Sequence, residues 1–219
     1  MKNDSAFKLT VKKSTAAMVG GFIFVVIAVF YNFDAVKSID SGVYEFTSRF
    51  ISPFATMVFK FFSAAGSAVS IIIICVVLLI VPLLFWNNGG KIKLKLGIYV
   101  SLVMICSQAL NTLLKNIFIR PRPDVLPLVL EKSFSFPSGH AMSSMCLFLT
   151  LALITRTELK DKRYANVIGF FLIVLTFLIG FSRIYLGVHY FTDVAAGFAA
   201  GAFVGLSSNI IYCFRFPNQ

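Results

Sequence analysis

Three short polar clusters interrupt an otherwise apolar chain of 219 residues. The first, residues 115–123, carries Lys115, Arg120 and Arg122. The second, residues 137–140, is Pro137-Ser138-Gly139-His140. The third, residues 182–193, carries Ser182, Arg183, His189 and Asp193. Both histidines of the chain lie in these clusters. Charge at the ends of apolar runs is costly, which makes such residues functional-site candidates.

His189 and Asp193 are four apart, so on a helix they share one face. A carboxylate placed there holds the imidazole in one tautomer and stabilises its cation. The other ring nitrogen is then free to act as base or nucleophile. Lys115, Arg122 and Arg183 supply fixed positive charge. An arginine fork matches two phosphate oxygens, and lysine acts as a point charge. Ser138 and Gly139 open an apolar run, and Ser138 is a good N-cap. Backbone N–H groups at such a helix start face an anion. Gly139 lets that backbone come close. His140, next to it, can protonate a leaving oxygen.

These parts make a phosphate site with a nucleophile and an acid. Phosphoryl transfer asks mainly for positioning and charge neutralisation, and three fixed cations supply the charge without Mg²⁺. No metal and no cofactor is expected, because the histidines and carboxylates lack metal-ligand spacing and the cations oppose another positive ion. The remaining polar residues take structural readings. Arg120 and Lys132 read as solvated loop charge, Lys60 as a snorkelling interfacial residue, and Gln108 and Asn111 as hydrogen-bonding groups between helices.

The elements that must carry these clusters are membrane helices. Hydrophobic residues make up 58% of the chain and charged residues 13%, against about 25% charged in a soluble domain. The apolar runs are continuous and do not alternate, which excludes a barrel. The expectation is an all-α, polytopic helical bundle with six transmembrane helices, one membrane-embedded domain over residues 1–219. The spans fall at about 15–33, 68–86, 96–118, 139–154, 165–182 and 189–212. The first run is long for a signal peptide, and no A-x-A-like site follows it. Asn87-Asn88-Gly89-Gly90 reads as a turn, and Pro121 with Pro123 ends the third span. Ala and Gly in the last span place it at the bundle centre. Between the first two spans, residues 37–64 carry Phe46, Phe50, Phe54, Phe61 and Phe62 at helical spacing. An amphipathic segment at the outer surface, covering the site or admitting lipid, is one reading; a packed loop is the other.

The net charge of +11 does not call for nucleic acid. Of the Lys and Arg residues, 12 fall on one side of the apolar runs and 8 on the other, 3 of those being the candidate phosphate-binding cations Lys115, Arg122 and Arg183. Positive residues gather in cytoplasmic loops. Both termini are therefore expected in the cytoplasm, and all three clusters outside the cell membrane. Membrane lipid is the expected partner, with no nucleic acid and no obligate protein partner. Cys75, Cys106, Cys146 and Cys213 lie in or at the end of apolar runs without CxxC spacing and read as small core residues.

Lys115 with six residues before Arg122-Pro123, then Pro137-Ser138-Gly139-His140, then Ser182-Arg183 with five residues before His189 and three before Asp193 resembles the three-part signature of the type 2 phosphatidic acid phosphatase family. The motifs cover Lys115 to Asp193, and the six-span layout covers nearly the whole chain. The resemblance implies that His189 attacks phosphorus to form a phosphohistidine, assisted by Asp193. It implies that His140 protonates the leaving group, and that Lys115, Arg122, Ser138, Gly139 and Arg183 bind the phosphoryl oxygens. The implied substrate is a lipid phosphomonoester or pyrophosphate, as in small bacterial members acting on undecaprenyl pyrophosphate or phosphatidylglycerophosphate. Related vanadium haloperoxidases share the site, which points to vanadate as an inhibitor. Two alternatives stay open: a phosphotransferase with an acceptor other than water, and a non-enzymatic lipid or anion transporter. The transporter would need the cations but not two histidines and a carboxylate.

Overall fold

The structure, a computed structural model, describes the backbone of residues 2–84 and 90–215. The described residues form eight α-helices and no strand: α1 Lys2–Phe30, α2 Asp34–Ser48, α3 Pro53–Ala65, α4 Ala68–Leu84, α5 Gly90–Phe118, α6 Gly139–Glu158, α7 Lys162–Tyr185 and α8 Phe191–Arg215. The turn expected at Asn87-Asn88-Gly89 lies outside the described residues.

Local chemistry sets several of these boundaries. Ser52 caps α3, its Oγ accepting the Ala55 N–H at 3.3 Å, with Pro53 in the first turn. Asp161 caps α7 through the Arg163 N–H at 2.8 Å. At the end of α5, Ile119 adopts a left-handed φ of 47°, a strained state for a β-branched residue. That turn, followed by Pro121 and Pro123, stops the helix and sends the chain across the mouth of the bundle.

α6 lies at the middle, against α5, α7 and α8. α1 packs on α8, α4 on α5, and α3 on α7. As its small residues implied, α8 comes close to α6: a Cβ added at Gly201 would meet the Met142 carbonyl oxygen at 2.4 Å. A core of Val100, Met104, Cys146, Leu147 and Ile179 joins α5, α6 and α7. Cys106 departs from the expected core role and is exposed.

The bundle is that of a multi-pass membrane protein. Among the described residues, the stretches Thr10–Phe30, Lys93–Phe118, Lys162–Tyr185 and Phe191–Cys213 are long and apolar enough to cross a membrane. α3 and α4 together make a fifth such unit, bent by 46° at Gly66-Ser67. α6, expected as a span, is not in this set. It is the helix most enclosed by protein, and Ser143, Ser144 and Thr150 are buried on it; a helix wrapped by its neighbours needs less apolar surface to meet lipid. The segment 37–64 is two helices and not a packed loop. Phe46, Phe50, Phe54 and Phe61 are all exposed on it.

Candidate active site

The three clusters come together at one end of the bundle. The first lies at the end of α5, the second opens α6, and the third covers the α7–α8 turn. A cavity of about 200 Å³ is lined there by Asn111, Lys115, Arg122, Glu131, Gly139, His140 and His189, among others. A neighbouring cavity of about 310 Å³ shares Gln108, Asn111, Lys115 and Ser133 with it. It runs along exposed Gln108, Thr112 and Asn116, one polar edge of α5 by their four-residue spacing. One opening to the bundle surface therefore runs along α5, and a further cavity of about 440 Å³ reaches His189 from the side of α2.

His189 does not sit on a helix. It precedes α8, which begins at Phe191. A tight turn delivers it, with Gly187 at a φ of +69° and the Val188 N–H donating to the Arg183 carbonyl at 3.2 Å. The pairing anticipated from the four-residue spacing is still made, with His189 Nδ1 3.4 Å from Asp193 Oδ2. Ser135 Oγ also approaches Nδ1, at 3.3 Å. The opposite nitrogen, Nε2, is 3.1 Å from Arg122 Nη1. Burial lowers the His189 pKa to about 4; hydrogen bonding to Asp193 opposes this, and Arg122 and Arg183 reinforce it. The ring is therefore neutral at pH 7, with its lone pair on the nitrogen that Asp193 does not hold, where it accepts from Arg122 Nη1.

Asp193 is fully buried and well supplied with donors. Its Oδ2 accepts from Ser135 Oγ and from the Tyr190 N–H, the latter at 2.9 Å. Its Oδ1 accepts from Arg120 Nη1 at 2.7 Å. Arg120 is thus not the solvated loop charge its sequence position implied. It is 7% exposed, its Nη2 donates to Asp40 Oδ2 at 2.8 Å, and its guanidinium lies 4.0 Å from the Tyr190 ring centre. The left-handed turn at Ile119 precedes it directly. Lys132, by contrast, is exposed as expected.

Lys115 and Arg122 are held mainly by backbone carbonyls, Arg183 by side chains. Lys115 Nζ donates to the Phe134 carbonyl. Arg122 donates from Nε to the Ser133 carbonyl and from Nη1 to the Val188 carbonyl, both at 2.7 Å. Burial lowers the Arg122 pKa and the Glu131 and Asp193 carboxylates oppose that; arginine starts high enough to stay charged. Arg183 is buried in the last turn of α7, not in the loop that followed from the expected span end. Its Nη1 donates to Ser63 and its Nη2 to Glu131, while its Nε makes no hydrogen bond within the protein. Glu131 also stands 4.0 Å from Arg122, a carboxylate set among the cations.

Ser138 occupies the N-cap of α6, but its side chain makes no capping bond. Its N–H donates to the Asp193 carbonyl at 3.0 Å, so this donor ties α6 to α8 and does not face the cavity. Its buried Oγ has no partner within the protein. Gly139 does line the cavity, and a Cβ there would lie 3.1 Å from Asn111 Oδ1. Asn111 is both structural and part of the wall, donating from Nδ2 to the Pro137 carbonyl at 3.4 Å.

Sequence reasoning missed Asp40, Arg120, Ser135 and Glu131. A signal existed for Asp40: it lies seven residues from Thr47, the other buried residue of α2, so it is a carboxylate on the inward face of an amphipathic helix. Nothing in the sequence distinguished Ser135.

The PAP2 superfamily model matches residues 96–218 of this chain. The chain is 42% identical over 109 residues to phosphatidylglycerophosphatase B of Bacillus subtilis, covering 48% of this chain and 52% of that protein. It is 32% identical over 113 residues to lipid A 4'-phosphatase of Porphyromonas gingivalis, covering 47% and 44%. These matches thus span about half the length of the curated relatives. Among solved structures, a transmembrane PAP2-type phosphatidylglycerolphosphate phosphatase from Bacillus subtilis superposes with a TM-score of 0.79 at 27% identity, covering 89% of this chain and 94% of that one.

Proposed function

This chain belongs to the PAP2 superfamily, and from that premise we propose that it is a metal-independent lipid phosphatase working through a phosphohistidine. The observation that carries the reading is His189. Its Nδ1 is held by Asp193 and Ser135, while its Nε2 stands beside Arg122 in a cation-lined cavity.

A phosphate monoester or pyrophosphate enters along the polar edge of α5. Its phosphoryl oxygens displace resting contacts at Lys115, Arg122 and Arg183, whose Nε is already free. Ser138 Oγ and the Gly139 backbone complete the cradle. His189 Nε2 attacks phosphorus in line as the bond to the leaving oxygen breaks. His140 gives that oxygen its proton. The imidazole carries positive charge once phosphorylated, and Asp193 stabilises it. Water then attacks the phosphohistidine, with His140 taking the proton, and phosphate leaves.

Six spans, with α6 counted among them and both termini in the cytoplasm, put the cavity at the outer face of the cell membrane. Phosphatidylglycerophosphate and undecaprenyl pyrophosphate are the proposed substrates; the first is also the one for which the Bacillus proteins above are named. The test is phosphate release by detergent-solubilised protein across a panel of lipid phosphates in mixed micelles, with and without excess EDTA. Turnover that survives EDTA and vanishes in His189→Ala is expected. Loss with EDTA that Mg²⁺ or Zn²⁺ restores would overturn the metal-free mechanism, and no turnover on any lipid phosphate would overturn the function.

A further inference from the structure

We propose that Asp40, on the outer-surface helix α2, is a positioning residue for the reaction, acting through Arg120 on Asp193. The inference rests on the phosphohistidine reading above. It assigns a catalytic consequence to a helix that contributes no residue to the three clusters.

The contacts form one buried chain. Asp40 Oδ2 accepts from Arg120 Nη2 at 2.8 Å and from Thr192 Oγ1 at 2.7 Å. Asp40 Oδ1 accepts the Thr192 N–H at 2.9 Å, in the first turn of α8. Arg120 Nη1 donates to Thr192 Oγ1 at 2.8 Å and to Asp193 Oδ1 at 2.7 Å. Asp40 is 2% exposed, Arg120 7% and Asp193 0%. Water therefore screens none of these charges well. The chain joins α2, the end of α5 and the start of α8, elements about 80 and 150 residues apart in sequence.

Two consequences follow for His189. The first is orientation. Arg120 takes Oδ1 of Asp193, which leaves Oδ2 turned to His189 Nδ1, Ser135 and the Tyr190 N–H. The planar guanidinium spans both carboxylates at once, fixing Asp193 against Asp40. The second is charge. Arg120 paired with Asp193 alone would cancel the negative charge that the phosphorylated imidazole needs. Asp40 supplies a second carboxylate, so the trio keeps one net negative charge. As the Nε2–phosphorus bond forms and the bond to the leaving oxygen breaks, His189 becomes cationic and that charge is matched. No bond in the trio is made or broken. A carboxylate that served only to dock α2 would hold helices together without altering this step.

The experiment compares wild-type, His189→Ala, Asp40→Asn and Arg120→Lys proteins, full length and in detergent. Phosphate release in mixed micelles from whichever lipid phosphate of the panel above the wild-type protein turns over fastest gives kcat and KM, and thermal melts give stability. Asp40→Asn keeps the shape and removes the charge. It is expected to lower kcat by about 10- to 100-fold, the usual effect of removing a partner that orients a reacting group, with KM within about twofold, since substrate binding itself is untouched. Should that protein not fold, Arg120→Lys carries the test. It keeps one positive charge but has no fork to join Asp40 to Asp193, and the same loss in kcat is expected. Either variant, folded, with kcat above half the wild-type value overturns the proposal, and so does a loss confined to thermal stability or to KM. Wild-type turnover that His189→Ala abolishes leaves the phosphatase reading standing whatever Asp40 does; absent wild-type turnover sinks both.

Discussion

The two histidines differ in what the proposed reaction asks of them. His189 bonds to phosphorus, so no leaving group bypasses it, and His189→Ala should lose turnover on every substrate. His140 only protonates the departing oxygen, with general-acid help of about 10²–10⁴-fold. His140→Ala should therefore lose most on a lipid phosphomonoester and least on p-nitrophenyl phosphate, whose leaving group is already a stable anion. Measured kcat/KM values that fall equally on both would refute the general-acid role. Glu131 poses a different question. Its carboxylate bonds Arg183 and approaches Arg122, so it competes with an incoming phosphoryl group. Glu131 is 28% exposed, and such a partly wet ion pair is worth about 0.2–1 kcal/mol. Glu131→Gln should lower the inhibition constants for phosphate and vanadate by up to about fivefold. Weaker binding instead would mean that Glu131 aims Arg183 at the substrate.

Among the elements, the turn between α7 and α8 bears most directly on chemistry. Gly187 holds a φ of +69°, and a Cβ there would lie 2.6 Å from the Leu126 carbonyl oxygen. Left-handed backbone costs an L-residue about 1–2 kcal/mol, and the clash adds to that by pushing the 123–130 loop away. Gly187→Ala is therefore expected to lower the thermal midpoint and also kcat, because the same turn sets His189 against Arg122. A folded variant with unchanged kcat would show that the turn tolerates the shift. α2 contributes to the proposed chemistry through Asp40, a carboxylate on its inward face, whereas Phe46 on its outer face pairs with Phe50, just beyond its end, with ring centres 5.2 Å apart.

For the whole molecule the open matter is orientation. In the proposed orientation, drawn from the charge bias of the loops, the cavity lies outside the cell membrane. In a variant with the four native cysteines replaced by serine, needed because Cys106 is exposed, Asp124→Cys should react with an impermeant thiol reagent on intact cells. Lys93→Cys should not. The reverse pattern would put the site in the cytoplasm and require a substrate in the inner leaflet.

The sequence alone determined that this is a helical membrane protein and which polar residues stand out against it, because continuous apolar runs and charges at their ends are local features. It also placed the starts of α4 and α6 and the end of α5, where Gly66-Ser67, Pro137-Ser138 and Pro121 act over a few residues, whereas α1 and α5 begin well ahead of the expected spans. The His189–Asp193 pair was legible from spacing, although the chain reaches it by a turn before α8 and not by a helix face. Only the tertiary structure decided what each charge touches. Arg120 read as loop charge because its partners, Asp40 and Asp193, lie 80 and 73 residues away. Ser138 read as a donor to an anion, but packing of α6 on α8 gives its N–H to the Asp193 carbonyl. Glu131 lies in a loop whose sequence gives no sign that it folds back over Arg183. A buried ion pair is settled by three-dimensional proximity and loss of water; the helical spacing of Asp40 marks its inward face but not its partner.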